Sequence, residues 1–459
     1  MTINTTIKAE HNAPAITQIL AEFVSAHPSK GWSDAVDHEA HRTLLNWLGC
    51  AVGASGHASV QFALAAVRML QPAPQASVLG RAEKVDMASA ALLNGISSHT
   101  FDFDDTHLKT IIHPAGPVAS ALMALTEGLP EKAITGRQLI DALVLGIDVS
   151  CRVGNAMYPD HYDRGWHITG STGSLGAAAG CARLLGLNMQ QTAMALGIAA
   201  SQPVGMREQF GSMTKPFHPG GAARAGLMSA LLAAQGFTAS PKAIEAPRGM
   251  VQTISTKCDW NEITHELGQR FEISYNTYKP FACGIVIHPS IDACAQLRGQ
   301  GVQPDDVERI ELKVHSLVLE LTGKKEPQDG LQAKFSVYHG CAAGLMVGQA
   351  TEDEYHDHFV TRPDMVALRR KVVAVVDGSI DEASVDVTAI LKDGRKVHVF
   401  VKNAIGSLQN PMTDPMLEAK FHGLGDPVLG AARSQQLINA LWQTGASPNL
   451  NLLFALATP

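Results

Sequence analysis

The sequence predicts a mainly α-helical protein: a large all-helical domain with a smaller α+β domain inserted in it. Three observations carry that reading. From residue 14 to about residue 236, apolar residues recur at helical spacing in segment after segment, with no convincing two-residue alternation between them. Hydrophobic residues make up 46% of the 459, yet aromatics only 5%, and there are 41 glycines. Such a core is aliphatic and small, which suits helices packed at close range better than a large β-sandwich. After about residue 270 the pattern changes to short alternating runs rich in Val, Ile and Leu.

In chain order, the expected helices are "AITQILAEFVSA", "HRTLLNWLGCAVG", "VQFALAAVRML", "MASAALLNGI", "PVASALMALTEG", "GRQLIDALVLGIDVSCRVG", "GSLGAAAGCARLLGL", "QQTAMALGIAAS" and "GAARAGLMSALLAAQGF". "RIELKVHSLVLEL" and "KVVAVVD" then read as strands. "SVDVTAILKDGRKVHVFV" reads as two strands folded about Asp393-Gly394, a strong hairpin signal. Helical stretches near 288–298 and 333–348 accompany them. The segment from "DPMLEAKFHGLG" to "SQQLINALWQTG" is helical again and is expected to dock back on the first domain. The domains expected are therefore 1–269 with 406–459, all helical, and 270–405, α+β.

Composition excludes several classes. A net charge of −7 with no basic run argues against a nucleic-acid surface. No run of about 18 uncharged apolar residues is present to span a bilayer, and the N-terminal stretch is polar, without the apolar centre of a signal peptide. The seven cysteines are scattered, none in a CxxC pair, and read as small core residues in a reducing compartment. The expected location is cytoplasmic.

One stretch resists the reading as plain helical core. "SSHTFDFDDTHLKTIIHPAG", residues 97–116, places His99, Asp102, Asp104, Asp105, His107 and His113 between apolar helices, where unpaired charge is costly. Four other places combine polar groups with a glycine-rich helix start. "RGWHITGSTGSLGAAAG" holds His167 before a Thr/Gly/Ser-rich turn, and "SMTKPFHPGGAARAG" holds Lys215 and His218 ahead of Gly-Gly. "YNTYKPFACGIVIHPS" supplies Lys279 and His288; "AKFSVYHGCAAG" supplies Lys334, Tyr338 and His339. Lysines and free N–H groups at helix starts bind anions, and neutral histidines move protons near neutral pH. Together they suit proton abstraction next to a carboxylate, with His as base and Lys stabilising the enediolate-like charge that develops.

Plainer readings exist for each part. The aspartates fit N-caps and turns, a single His before Pro fits a structural role, and glycines fit close packing. The recurrence of one composition at five places favours a site. A metal is not expected, because no HExxH, EF-hand or Cys/His spacing occurs. Phosphate-loop, dinucleotide and GxSxG fingerprints are absent as well.

"HTFDFDDTH…HPAG", "WHITGSTGSLGAAA", "TKPFHPGGAARAG" and "YKPFACG", in this order, resemble the MmgE/PrpD family, over about residues 15 to 440. That family includes 2-methylcitrate dehydratase, iminodisuccinate epimerase and cis-aconitate decarboxylase. The resemblance implies a homodimer without metal or organic cofactor and an active site between the two domains. By motif, it assigns catalytic roles to Asp102, His113 and His167, with Thr106, Lys215, His218 and Lys279 binding substrate. In the decarboxylase branch a histidine follows shortly after the last lysine, and His288 is only a loose counterpart. That branch also has a catalytic tyrosine near the helix after "AKFS". Here Tyr338 falls one residue early and His339 takes its position, so His339 is expected as proton donor and Tyr338 as a substrate contact.

The resulting expectation is a cofactor-independent lyase or isomerase of a small di- or tricarboxylate. A 2-methylcitrate-type dehydratase comes first, an iminodisuccinate-type epimerase second and a cis-aconitate-type decarboxylase third. Two other classes stand beside it: a terpene cyclase using DxDD as its acid, which needs an aromatic-lined pocket, and a catalytically silent carboxylate-binding protein.

Overall fold

The computed structural model describes residues 13–28 and 32–459. Residues 1–12, on which the absence of a signal-peptide centre was read, lie outside the described residues.

The helices expected in the first half are present. Ile16–Ala26, Asp34–Gly53, Ala58–Arg68, Met87–Thr100, Ala115–Gly128, Gly136–Met157, Ile168–Leu185, Met189–Ala199 and Thr214–Ala234 form one helical body. Local chemistry starts several of them. The Ser33 side chain accepts from the Val36 N–H, Asp86 from Ser89, and Thr135 with Gln138 closes a capping box. Their apolar faces meet in a core of Leu44, Leu48, Leu122, Leu143 and Ile147 among others.

The glycine-rich segments serve packing within helices, which corrects their reading as turns before helices. A Cβ on Gly146 would lie 2.7 Å from the Gly176 carbonyl oxygen, and one on Gly176 would lie 2.7 Å from that of Gly146. A Cβ on Gly95 would come within 2.5 Å of the Gly220 Cα. Helix Thr214–Ala234 therefore starts before "KPFHPGG", and Lys215 and His218 sit in its first turns.

The later chain builds the smaller unit around a four-stranded sheet. Val307–Val314 lies between Val372–Val376, to which it is parallel, and Val385–Leu391, to which it is antiparallel; Lys396–Val401 completes the Asp393-Gly394 hairpin. "HSLVLEL" was expected to prolong the first strand. It is instead the helix Ser316–Thr322, capped by the His315 ring accepting from the Leu317 N–H. His288–Gly299 and Val337–Val347 cover the sheet, and their buried residues share its core. Helices Asp414–Leu429 and Ala431–Trp442 return to the helical body, where Leu417, Phe421 and Leu437 join its core. Among the described residues no single helix is long and apolar enough to cross a membrane.

Candidate active site

The charged stretch 97–116 is positioned by a strand that its sequence does not advertise. Helix Met87–Thr100 ends just after His99, and Asp102 takes a left-handed backbone conformation (φ 50°) that Asp tolerates better than most residues. Asp105–His107 then pairs antiparallel with Asn276–Tyr278, Thr106 opposite Thr277. This ladder brings Lys279, the residue after the second strand, against Asp102. Its Nζ donates to Asp102 Oδ1 at 2.7 Å and to the Asp102 carbonyl at 3.0 Å.

Lys215 reaches the same oxygen from helix Thr214–Ala234, 3.0 Å from Asp102 Oδ1. It lies 3.0 Å from His99 Nε2, with its Nζ 5.3 Å from the ring centres of both Phe210 and Phe335. Burial raises the Asp102 carboxyl, but the two ammonium groups outweigh it and hold Asp102 well below the usual range. Burial lowers Lys215 below an ordinary lysine, whereas in Lys279 the pull of Asp102 and Asp104 exceeds desolvation and raises it. Asp102 thus lies between two cations that favour its carboxylate. Asp104, the central aspartate that a DxDD cyclase would use as its acid, is also held well below its ordinary value, because His99 and His113 outweigh its burial, and this speaks against that rival.

The hydrogen bonds fix the state of each ring. An ammonium only donates, so His99 Nε2 accepts from Lys215, and Nδ1–H donates to Asp104 Oδ2 at 2.7 Å. Burial keeps this ring neutral, with its pKa lowered to about 3. A carbonyl only accepts, so His113 Nδ1–H donates to the Asp105 carbonyl at 2.7 Å, with Asp104 Oδ1 and Thr106 Oγ1 both 3.4 Å from the same nitrogen. The Nδ1 proton is thereby committed, which leaves Nε2 as the ring nitrogen able to accept one. His167 stands at the N-cap position of helix Ile168–Leu185, and its ring shares a 2.9 Å Nδ1–Nδ1 hydrogen bond with His218; burial lowers both rings.

Asp102, His113, His167, Lys215 and Lys279 line one small cavity of about 30 Å³ between the helical body and the smaller unit. Thr106 and His218, expected as substrate contacts, stand behind it as partners of His113 and His167. The remaining expectations fall elsewhere. His339 is buried in the smaller unit, bonded through Nε2 to the Glu354 carbonyl at 2.8 Å and packed on Tyr355. Neither it nor Tyr338 lines the cavity. The cause is helical geometry: the residues at 338 and 339 open helix Val337–Val347 facing the core under the sheet. His288 is buried beside Phe281 with its nitrogens unpartnered by side chains, also off the cavity.

Asp105 and His107 of the same stretch are structural. Asp105 Oδ2 accepts from the Ala115 N–H and from Asn276, and burial pushes this carboxyl up to about 7. His107 bonds Glu272 at 3.0 Å and Thr110 at 2.8 Å.

Donor atoms of His99, Asp102, Asp104 and His113, and those of His99, His113 and His167, converge within 4.8 Å, as they would at a metal site. Two lysine ammonium groups already occupy the hydrogen-bonding positions of Asp102 Oδ1 and His99 Nε2, and they repel a cation there. We assign no metal to it.

Sequence reasoning missed the rest of the wall, Ile111, Tyr162, Phe210, Leu321 and Phe335 among it. Apolar residues carry no chemical signature in a sequence. Ile111 had a structural one, since a β-branched residue at φ 58° is a backbone outlier. Lys420 was missed too. From helix Asp414–Leu429 its Nζ donates to the carbonyls of Phe103 (2.5 Å) and Lys279 (2.9 Å), tying both charged segments together.

Fold and cavity define a class: a two-part, helix-rich protein with a buried acid–base and cation cluster between its parts. The chain matches the MmgE/PrpD N-terminal domain over residues 18–263 and the MmgE/PrpD C-terminal domain over 281–444, and it belongs to this family. Its relatives include a cis-aconitate decarboxylase-like protein, oryM, of Aspergillus oryzae, 28% identical over 96% of this chain and 97% of that one. Cis-aconitate decarboxylase of Aspergillus terreus is 26% identical, covering 97% of both chains. The mouse cis-aconitate decarboxylase is 25% identical, covering 93% of this chain and 90% of its own.

Proposed function

We propose that this protein is a cofactor-independent lyase or isomerase that removes a proton α to a carboxylate of a small di- or tricarboxylate. One observation carries the reading. The Asp105 carbonyl holds the proton of His113 on Nδ1, so Nε2 is the ring nitrogen left to accept a proton, in a wall shared with two ammonium groups. His113 Nε2 takes the α-proton, and the electron pair of the broken C–H bond moves into the neighbouring carboxylate. Lys215 and Lys279 stabilise the enediolate that forms. The proton on His113 Nε2 then passes to the β-hydroxyl, which leaves as water while the enediolate electron pair forms the carbon–carbon double bond, completing a dehydration, the first reading; reprotonation of the same carbon from the opposite face is an epimerisation.

Decarboxylation is a second reading, favoured by the names of the relatives. It requires an acid to protonate the carbon that loses carbon dioxide. The residue expected in that role, His339, is off the cavity, while Tyr162 lines it and is kept protonated chiefly by burial.

The test is incubation with 2-methylcitrate, citrate, cis-aconitate and iminodisuccinate in deuterated water, followed by NMR. Deuterium should enter the α-position of at least one acid, with or without elimination. Binding with no exchange in any of them would leave a silent carboxylate-binding protein.

A further inference from the structure

The cavity has two unlike halves, and the difference bears on what fills it. Every charged group lining it comes from one side: Asp102, Lys215 and Lys279. Both ammonium nitrogens contact the same oxygen of Asp102, so they form a single cationic subsite and not two separated ones. Asp102 already offsets one of their charges. The opposite side, contributed by the smaller unit, is Ile285, Val286, Leu321 and Phe335, with Gly284 and Thr322. The Thr322 hydroxyl is committed to the Val318 carbonyl, so this half presents no free side-chain donor to an anion. No arginine lines the cavity.

We infer that the substrate turns an aliphatic substituent, and not a carboxylate, toward Ile285, Val286, Leu321 and Phe335. The inference rests on the proposed α-proton chemistry and narrows its substrate class. A carboxylate turned toward this half would be desolvated without a partner, which is costly, whereas an alkyl group there gains from burial. The first carboxylate sits at the Lys215–Lys279 subsite, with its α-carbon near His113.

A matched pair of probes tests this. Propylsuccinate and tricarballylate are both succinates with a three-carbon-sized branch, ending in CH₂CH₃ in one and in a carboxylate in the other. By titration calorimetry, propylsuccinate should bind the native protein at least about tenfold more tightly, the size of effect expected from burying a few methylenes against stranding a charge. Leu321→Arg, at a half-buried position, should reverse the order while the protein keeps its native melting temperature. Equal or tighter binding of tricarballylate by the native protein would overturn the inference, and α-deuterium exchange in either acid would still leave the proposed chemistry standing. Preferential binding of propylsuccinate without exchange in any acid would do the reverse. If Leu321→Arg fails to fold, Ile285→Lys, at another half-buried position, provides the same reversal.

Discussion

The two walls of the cavity are built by opposite rules. On the helical-body side, ionisable groups are buried and each is held by another: Asp102 by two lysines, His99 between Lys215 and Asp104, and His113 on the Asp105 carbonyl. On the smaller unit's side the lining is aliphatic and aromatic, and the titratable residues nearby, His288 and His339, are turned into the core. The difference separates two tasks. A proton-transfer group must sit in one orientation and one tautomer, which a network of partners enforces. A wall that only selects shape needs packing, and it can change without disturbing that network.

The largest expected effect breaks the first wall. His113→Gln should lower kcat/KM by about 10²–10⁴-fold, the usual contribution of a positioned base, while calorimetric melting shows the fold retained. A loss below about tenfold would move the base to His167, the other histidine of this wall.

A smaller, global effect reads both walls together. Burial depresses His99 and His288 to about 3, and His161, His218 and His339 to about 4. These rings stay neutral in the folded chain, whereas unfolded histidines bind protons below about 6.5. The unfolded state therefore takes up more protons between about pH 4 and 6.5, so stability rises with pH across that window and is lost on acidification. The melting temperature should fall steadily from pH 7 to pH 5. A flat profile would mean that these rings are solvated in the native protein.

The smallest effect on activity is expected at the residue that the family motif singles out. Because His339 meets the Glu354 carbonyl inside the smaller unit, His339→Gln should leave the pH profile of kcat/KM in place and show its cost in melting temperature. A displaced alkaline limb would return His339 to the mechanism and erase the contrast between the walls.

Much of the fold was legible. The helical body follows from apolar spacing that a helix turns to one face, and the Asp393-Gly394 hairpin from turn chemistry. "HSLVLEL" misled because its apolar residues suit a strand or a short helix, and the His315 cap with packing under the sheet chose the helix. The charged residues of the site were also visible, because Asp, Lys and His in an apolar context require partners. Their partners were not. Thr106 meets Thr277 across 171 residues of chain, and that pairing carries Lys279 to Asp102. Which wall a side chain faces depends on such long-range register, and so do the exclusion of His339 and the arrival of Leu321 and Phe335. By itself the sequence determined the helices and the identity of the charged groups, both set by local spacing and by the cost of burying charge. Only the tertiary structure decided which of those groups converge and what apolar surface faces them, since convergence arises between segments that share no local interaction.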